Sequence, residues 1–270
     1  MKFQLSKGYP LQLDQIAQIL EYVFTKKKAR IPQKELSGNL GLAGSQIENL
    51  CSMAVAMQLM NARVYTPTAL GSVIHQNDQF FDDVGTLWLC HYNLASNPTY
   101  VVWNRLVHRA LPKQDLTRQD MRECFEDLRE RYSEKTMKSH LNKEIYTFVN
   151  AYTEGRFSKL RLLVTRDERY TLLSPALIPD MVFLAMVAQF KERFHPGETA
   201  LEIQRVVSEE NSPGRVCFKT DEQVRECLER LRVSGRIYIE SKADLDQLRF
   251  TVPSIPEALM EQYYDERFRE

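Results

Sequence analysis

The stretch that decides the fold is TDEQVRECLERLRVSGRIYIESKADLDQLRFTV, from Thr220 to Val252. Thr220 is a residue type that commonly caps the N-terminus of a helix. The apolar residues after it recur at helical spacing: Val224, Cys227, Leu228 and Leu231. Gly235 is placed to end this helix, because glycine adopts the left-handed conformation of a helix C-terminus without strain. The rest of the stretch, rich in β-branched and aromatic residues around a central turn, predicts a β-hairpin.

A helix followed by a hairpin is the second half of a winged helix-turn-helix module, and the residues before Thr220 supply its first half. Pro179 to Phe194 is apolar nearly all round, which predicts a buried helix. Thr199 to Ser208 predicts a further helix, and NSPGR, from Asn211 to Arg215, predicts a loop. Residues 175–270 are therefore predicted to form a C-terminal winged helix.

The same order of elements is predicted for residues 1–84, an N-terminal winged helix. Gln12 to Lys26 carries one apolar stripe, which is typical of an amphipathic helix, and Pro32 to Asn39 predicts a short helix. Ser45-Gln46-Ile47-Glu48 has the spacing of a capping box, with Ser45 opening the next helix. NARVYTPTALG, from Asn61 to Gly71, predicts a short extended hairpin in the place of a wing.

Residues 85–174 are predicted to be a helical centre that contains a second helix-turn-helix and hairpin. Its predicted helices are Thr86 to Ser96, Tyr100 to Ala110, one capped by Thr117, and Lys135 to Tyr152. Its predicted strands are Leu160 to Val164 and Tyr170 to Leu173. The predicted fold class is mainly α with small β-hairpins, with tandem winged helix-turn-helix modules around a helical centre.

One local repeat is visible. TRQDMRECFEDLR from Thr117 and TDEQVRECLERLR from Thr220 match at seven of thirteen positions without gaps. One interpretation is a duplicated module. The other is that two capped amphipathic helices have acquired similar residues by chance, since their flanks do not match.

The composition restricts the class of protein. The 270 residues have a formal net charge of zero, so no overall field attracts the chain to nucleic acid or to an anionic membrane, and any DNA contact needs a local basic patch. The five cysteines are odd in number and widely spaced, which favours reduced thiols over disulfides or a zinc site.

The N-terminus lacks the apolar run of a signal peptide, and the longest apolar block, Met181 to Ala188, is too short to span a bilayer. We expect a cytoplasmic protein without membrane contact.

The residues that most suggest chemistry are Cys90 and His91, within TLWLCHYNLASNP. Adjacent helical positions point about 100° apart and make a poor metal pair, and the surrounding aromatic residues are typical of a packing hub. We therefore predict that His91 is a buried structural residue. Asp82 and Asp83 are predicted to be a solvated acidic pair at a turn. The common nucleophile, phosphate-loop and dinucleotide motifs are absent from the sequence, so no catalytic residue, metal or cofactor is predicted.

Two surfaces are predicted to contact DNA. In the first module, Ser45, Gln46 and Asn49 are expected on the first exposed turn of a recognition helix, where amide side chains can read adenine edges. Nearby cations would neutralise phosphates: Lys26, Lys27, Lys28, Arg30, Lys34 and, at the wing, Arg63.

In the second module, a set of polar and basic residues is predicted to face outward: Lys135, Lys138, Ser139, Asn142 and Lys143. The opposite face of the same helix is apolar: Met137, Leu141, Ile145 and Phe148. Basic residues on or beside the hairpin extend this surface: Lys159, Arg161, Arg166 and Arg169. This is the most basic recognition-type surface in the chain.

The third module mixes its charges. Carboxylates on its helix and wing balance four arginines: Asp221, Glu222, Glu226, Glu229, Glu240, Asp244 and Asp246 against Arg225, Arg230, Arg232 and Arg236. Phosphates would be repelled by such a face, so we predict a protein contact or a dimer surface there.

Five stretches, in order over nearly the whole chain, resemble the bacterial family known as domain of unknown function four thousand and seven. They are LGLAGSQIENLCSM from Leu40, YTPTALG from Tyr65, TLWLCHYNLASNP from Thr86, SEKTMKSHLNKEIYTFVNAY from Ser133 and SPGRVCFKTDEQVRECLERL from Ser212. Members of this family resemble DNA-binding accessory proteins. They are often encoded beside phosphorothioate DNA-modification genes and other phage-defence genes. The resemblance therefore implies a biological setting rather than a reaction.

The predicted function is a non-catalytic DNA-binding or adaptor subunit of a bacterial DNA-modification system, of the phosphorothioation type, or of a phage-defence system. The expected partners are double-stranded DNA, protein subunits of that complex and a second copy of the chain in a homodimer. One alternative is a protein–protein scaffold whose winged helices do not touch DNA. A further alternative is a cryptic metal-dependent nuclease that needs Asp82 or Asp83.

Overall fold

The computed structural model describes residues 3–113, 115–242 and 245–267. These residues form two compact units, which comprise residues 1–176 and 177–270 of the chain. Both units are mainly helical, and each carries one small antiparallel sheet of three strands, as the sequence predicts. The finer division into 1–84, 85–174 and 175–270 remains a prediction. Within the described part of the chain, no helix has the length and apolar character needed to cross a membrane.

The first unit begins with four helices: α1 (Leu13–Lys26), α2 (Gln33–Leu40), α3 (Gly44–Ala56) and α4 (Ala69–Asn77). It continues with α5 (Val84–Ala95), α6 (Val101–Arg105), β1 (Asp115–Leu116), α7 (Arg118–Glu123), α8 (Leu141–Thr153), β2 (Leu163–Arg166) and β3 (Arg169–Leu172). A π-helical turn, Leu106–Ala110, extends α6, and a second one, Thr136–His140, leads into α8. The strand order in the sheet is β1-β3-β2.

The second unit contains α9 (Asp180–Phe194), β4 (Leu201–Glu202), α10 (Ile203–Ser208), α11 (Pro213–Val216), α12 (Asp221–Val233), β5 (Ile237–Lys242), β6 (Leu245–Phe250) and α13 (Pro256–Arg267). Its strand order, β4-β6-β5, matches the order of the first sheet. The predicted capped helix and hairpin are both present. Thr220 and Gln223 form a capping box at α12, and Gly235, with φ of 72°, follows its end. The predicted helix over Pro179 to Phe194 is also confirmed, with every side chain from Met181 to Phe190 buried.

Three predictions about local structure in the first module are wrong. Helix α3 begins at Gly44 and its N-cap is Ala43, so Ser45 does not open a capping box. The predicted wing is reduced to one isolated bridge between Met60 and Pro67. The residues after it form a helix, α4, because the side chain of Thr68 accepts a hydrogen bond from the Gly71 N–H and caps the helix.

In the second unit, the predicted loop NSPGR is partly helical. Ser212 caps α11, and Pro213 occupies its first position, where proline needs no hydrogen-bond donor. Helix α13 was not predicted from the sequence at all. Its side chains Leu259, Met260 and Tyr264 are almost fully buried.

The local sequence repeat falls on elements that are not equivalent. The copy from Thr117 forms α7 directly after the first strand of its sheet, whereas the copy from Thr220 forms α12 directly before the hairpin of the other sheet. The shared strand order is a similarity of topology, and the thirteen-residue match does not coincide with it. This placement favours chance similarity between two capped helices over an inherited repeat.

An aromatic cluster forms the centre of the first unit. Trp88, Trp103 and Tyr152 are 0–1% exposed, and the rings of Trp103 and Phe148 lie 5.1 Å apart. His91 is fully buried within this cluster, and its Nδ1 atom lies 2.5 Å from the Tyr152 hydroxyl. The prediction that His91 is a buried structural residue is therefore confirmed.

Candidate nucleic-acid interface

Helix α8 and the π-helical turn before it have one buried and one exposed face. Leu141, Ile145 and Phe148 are buried, as predicted. The predicted outward residues are all exposed: Lys135, Lys138, Ser139, Asn142 and Lys143. The 3.6-residue period of the sequence is sufficient to separate these two faces.

The exposed face of α8 borders a groove of about 400 Å³ whose lining includes Arg122, Tyr132, Met137 and Lys138. Lys138 pairs with Glu134 at 2.5 Å, and Arg122 donates to the Asn142 side chain at 2.7 Å. The side chains of Lys138 and Glu134 are 78% and 79% exposed, so water screens their attraction and the pair holds the lysine weakly. Lys138 can therefore exchange this partner for a phosphate.

The hairpin of β2 and β3 lies in the same unit. Arg161 and Arg166 are exposed, as the prediction requires. Arg169 is bound to Asp115, which raises the pKa of the arginine, and Lys159 is bound to Asp82 at 3.0 Å. Of the predicted hairpin cations, Arg161 and Arg166 are thus the two for which no ion pair is found among the described residues.

The N-terminal residues are packed against α8 through a buried carboxylate that the sequence analysis missed. Glu144 is 0% exposed, and its two oxygens accept hydrogen bonds from the Ser6 N–H at 2.9 and 3.1 Å. The Lys7 N–H donates to the same carboxylate at 2.8 Å, and Thr147 donates to the Tyr9 carbonyl at 3.1 Å. Burial raises the pKa of Glu144, while the backbone donors act in the opposite direction. The sequence did contain one indication of this contact: Glu144 is a charged residue at a helical position of the apolar stripe, between Leu141 and Phe148.

The same N-terminal residues contact the start of α3. Lys7 pairs with Glu48 at 2.7 Å, and the Tyr9 hydroxyl lies 3.0 Å from the Ser45 hydroxyl. Gly8 has φ of 88°, and a Cβ atom there would come within 3.0 Å of the Lys143 side chain, so only glycine fits easily. Residues 5–9, which we call the N-terminal strap, therefore connect the two helices that carry the predicted DNA contacts.

At the start of α3, two residues of the first predicted DNA surface are less exposed than predicted. Asn49 is only 1% exposed, so the prediction that it lies on an exposed turn is wrong: it belongs to the inward face of α3. Gln46 is half-buried and donates to Gln15 at 2.8 Å, and Ser45 is exposed beside Tyr9. The buried face of α3 includes Asn49 between Ile47 and Leu50, so the polar side chain of Asn49 gave no sign in the sequence of the side on which it lies.

The basic cluster after α1 is exposed but partly paired. Lys28 binds Glu35 at 2.8 Å, and the Lys26 ammonium lies 5.1 Å from the centroid of the Tyr22 ring. The remaining cations of the predicted set are exposed: Lys27, Arg30, Lys34 and Arg63. The DNA-binding role of these residues remains a prediction.

The charges of the second unit are neutralised locally, in agreement with the mixed face that the sequence shows. Each arginine of the predicted set has a carboxylate partner: Arg225 with Asp221 and Asp246, Arg230 with Asp180, Arg232 with Glu229, and Arg236 with Glu266. Glu240 lies 3.6 Å from Arg249. Asp244, which was also assigned to this wing, lies outside the described residues.

The acidic pair at Asp82 and Asp83 is structural in this fold. Asp83 is 6% exposed and caps α5 by accepting from the Thr86 N–H, so its predicted solvation is wrong. Asp82 is more exposed, and hydrogen bonds from Lys159 and Arg156 hold its pKa below the usual range. Among the residues that the structure describes, no three His, Cys, Asp or Glu side chains are placed to hold one metal ion.

Comparison with known proteins adds a family and two related structures. A family model described as "Protein of unknown function (DUF4007)" matches residues 50–264. The structure of magnesium ion-bound SspB has a TM-score of 0.79 and 16% identity, and the match covers 100% of this chain and 88% of that chain. A second SspB crystal structure has a TM-score of 0.81 and 14% identity, covering 98% and 88%. The comparison with curated proteins found no match. This chain belongs to the DUF4007 family and shares its overall fold with SspB.

Proposed function

We propose that this protein binds DNA through winged helix-turn-helix modules, as a subunit of a bacterial DNA-modification system of the phosphorothioation type or of a phage-defence system. The order of elements supports this. In each unit a helix, a short strand and further helices precede a hairpin, and the first strand pairs with the last strand of that hairpin. This order and this pairing are similar to those of winged-helix modules, in which the recognition helix enters the major groove, and they support the proposal.

The exposed face of α8 is the observation that carries the proposal. It occupies the position of a recognition helix, the last α-helix before the β2–β3 hairpin, from which a 3-10 helix at Arg156–Leu160 separates it. Lys135, Lys138 and Lys143 supply cations on it, and Ser139 and Asn142 supply hydrogen-bonding groups. Lysines position such a helix on phosphates, and amide side chains read base edges.

A salt-dependent binding assay tests the proposal. Wild-type protein is expected to shift a DNA duplex at low salt, and each phosphate contact contributes about 0.9 to the slope of log affinity against log salt concentration. The double variant Lys138→Glu/Lys143→Glu is expected to lose most of its affinity. A milder variant, Lys138→Gln/Lys143→Gln, should reduce the slope by about 2.

The matched control is Lys113→Glu/Lys191→Glu, which makes the same change of net charge at two lysines that belong neither to α8 nor to the turn before it. It is expected to bind DNA as the wild type does. The assay is run with phosphorothioated and unmodified duplexes, because a subunit of a phosphorothioation system could bind DNA either before or after its modification. If the α8 variant and the control bind equally, the assignment of α8 is wrong. If the wild type does not bind either duplex at low salt, DNA binding itself is refuted.

The scaffold function is supported by the second unit. Arg225 and Arg230 are engaged by Asp221, Asp246 and Asp180, so little positive charge remains for phosphates on α12. We propose that this face contacts a protein subunit of the complex or a second copy of the chain. Copurification with the products of neighbouring genes at low salt tests this, and a monodisperse monomer with no bound subunit would contradict it.

A magnesium-dependent nuclease is the third candidate function, after the scaffold, and the magnesium ion-bound SspB structure is what favours it. The residues here do not fit a ready-made magnesium site. Asp82 is already bound by Arg156 and Lys159, and Asp83 caps a helix. We therefore propose no catalytic step. Incubation of supercoiled plasmid with the protein and Mg²⁺ decides the matter, since nicking that is lost in Asp82→Asn would replace a non-catalytic role by a nuclease.

A further inference from the structure

The N-terminal strap places aromatic rings among the lysines of the α8 surface. Tyr9 is 36% exposed and Tyr146 is 52% exposed, although both are large rings that proteins usually cover. The Thr147 hydroxyl donates to the carbonyl of Tyr9, so the strap backbone at Tyr9 lies against the α8 turn that carries Tyr146. Two exposed rings on a recognition surface need an explanation.

Two lysines accompany these rings. Lys143 lies one helical turn before Tyr146, and its alkyl chain runs against Gly8 in the strap. Lys7 pairs with Glu48, but both side chains are more than 40% exposed, so the pair is weak. We call the set of Lys7, Tyr9, Lys143 and Tyr146 the aromatic-basic patch. The Glu144 carboxylate accepts hydrogen bonds from the Ser6 and Lys7 N–H groups, and these bonds hold the strap residues of the patch against the α8 residues of the patch.

Tyr146 also lines a cleft of about 650 Å³. Pro10, Leu11, Tyr146 and Asn150 belong to its lining, which gives a flat group room beside the Tyr146 ring. The acidic side chains of the cleft have local partners: Asp14 binds Arg156, and Glu154 accepts from Asn150. The cleft therefore has room for a planar group against the Tyr146 ring, and its lining also carries the cations Arg156 and Lys159.

We infer that the aromatic-basic patch binds DNA that carries unpaired bases, with the bases stacked on Tyr9 and Tyr146 and the phosphates near Lys7 and Lys143. Exposed aromatic side chains combined with cations are the means by which proteins bind single-stranded nucleic acid. A paired base hides its faces in the helical stack and cannot use these rings. The inference rests on the proposed function and specifies the class of DNA.

Binding of labelled DNA tests the inference with three probes of one sequence: a complete duplex, a duplex with a central mismatched bubble, and a single strand. The wild type is expected to bind the bubble more tightly than the complete duplex. Tyr146→Ala should lose about 5- to 150-fold in affinity for the bubble, because stacking on one aromatic ring contributes about 1–3 kcal/mol per base. Tyr146→Phe retains the ring and should bind the bubble as the wild type does.

Each other outcome has a defined meaning. If the duplex is bound and the bubble and single strand are no better, or if Tyr146→Ala binds the bubble normally, the patch inference is overturned while DNA binding stands. If no probe is bound by the wild type, the proposed function fails and the inference fails with it. Thermal unfolding of both Tyr146 variants shows whether they fold, and failure of the alanine variant to fold leaves Tyr9→Ala to decide in the same assay.

Discussion

Replacing Gly71 by alanine should destabilise the first unit strongly, although it adds only one methyl group. A Cβ atom at Gly71 would overlap the carbonyl oxygen of Leu59 and lie 2.8 Å from its carbonyl carbon. Backbone atoms cannot rotate away as a side chain can. The Thr68 N–H also donates to the Leu59 carbonyl at 3.1 Å, so helix α4 and this segment are held together.

The size of the effect follows from these contacts. Displacing α4 costs about 1–3 kcal/mol for overpacking, and a weakened backbone hydrogen bond adds about 1 kcal/mol. For a unit of this size, each kcal/mol lowers the melting temperature by about 2–4 °C. Thermal unfolding of Gly71→Ala followed by circular dichroism should therefore show a fall of roughly 5–15 °C.

Gly38→Ala is the matched control, because it makes the same chemical change within α2, where a Cβ atom would meet nothing within 4 Å. It should stabilise the protein by about 0.5–1 kcal/mol, since glycine loses more conformational entropy than alanine when a helix forms. If Gly71→Ala melts at the temperature of Gly38→Ala or above it, the close approach of α4 to Leu59 is not as described.

Three further predictions concern stability and reactivity. Burial raises the pKa of Cys51 and Cys217 to about 12 and also raises those of Cys90, Cys124 and Cys227. All five thiols should therefore react slowly with Ellman's reagent until the protein is denatured; rapid native reaction would contradict this. Hydrogen bonds from Arg105 lower the pKa of Asp127. These hydrogen bonds stabilise the folded protein above the pKa that Asp127 has in the unfolded chain, and this stability is lost as the pH falls through the lower pKa of the folded state. Asp127→Asn should therefore make the free energy of unfolding fall less steeply at acid pH. An unchanged acid dependence would refute the assignment. Thr220→Ala removes the cap of α12 and should cost about 1 kcal/mol in urea unfolding of the second unit, whereas an unchanged midpoint would show that the cap contributes nothing.

The local elements with strong periodic patterns could be predicted from the sequence. Helix α12 and its hairpin have a capping residue, an apolar stripe and a terminating glycine, all within 33 residues from Thr220 to Val252. The exposed face of α8 was predicted for the same reason, because the alternation of its faces is a local property. The burial of His91 followed from the apolar residues that surround it in sequence.

Other features depended on residues that are far apart in the chain. The burial of Glu144 by the strap joins positions separated by 138 residues, and no periodicity within α8 shows that its partner is the backbone of Ser6. Asn49 was placed on the wrong face because its amide is polar, whereas the buried face of α3 includes it beside Leu50. Helix α4 was missed because its cap, Thr68, follows a proline-containing turn that was interpreted as a wing.

By itself the sequence determined the elements whose cause is local: where apolar residues repeat, where a hydroxyl caps a helix and where glycine ends one. Only the tertiary structure decided which polar groups lose contact with water, which of them find a partner and which remain on a surface. The physical reason is that helical periodicity acts over a few residues, whereas burial depends on which distant segment covers a face. The strap on α8 is therefore a property of the folded chain, and the proposed DNA surface depends on it.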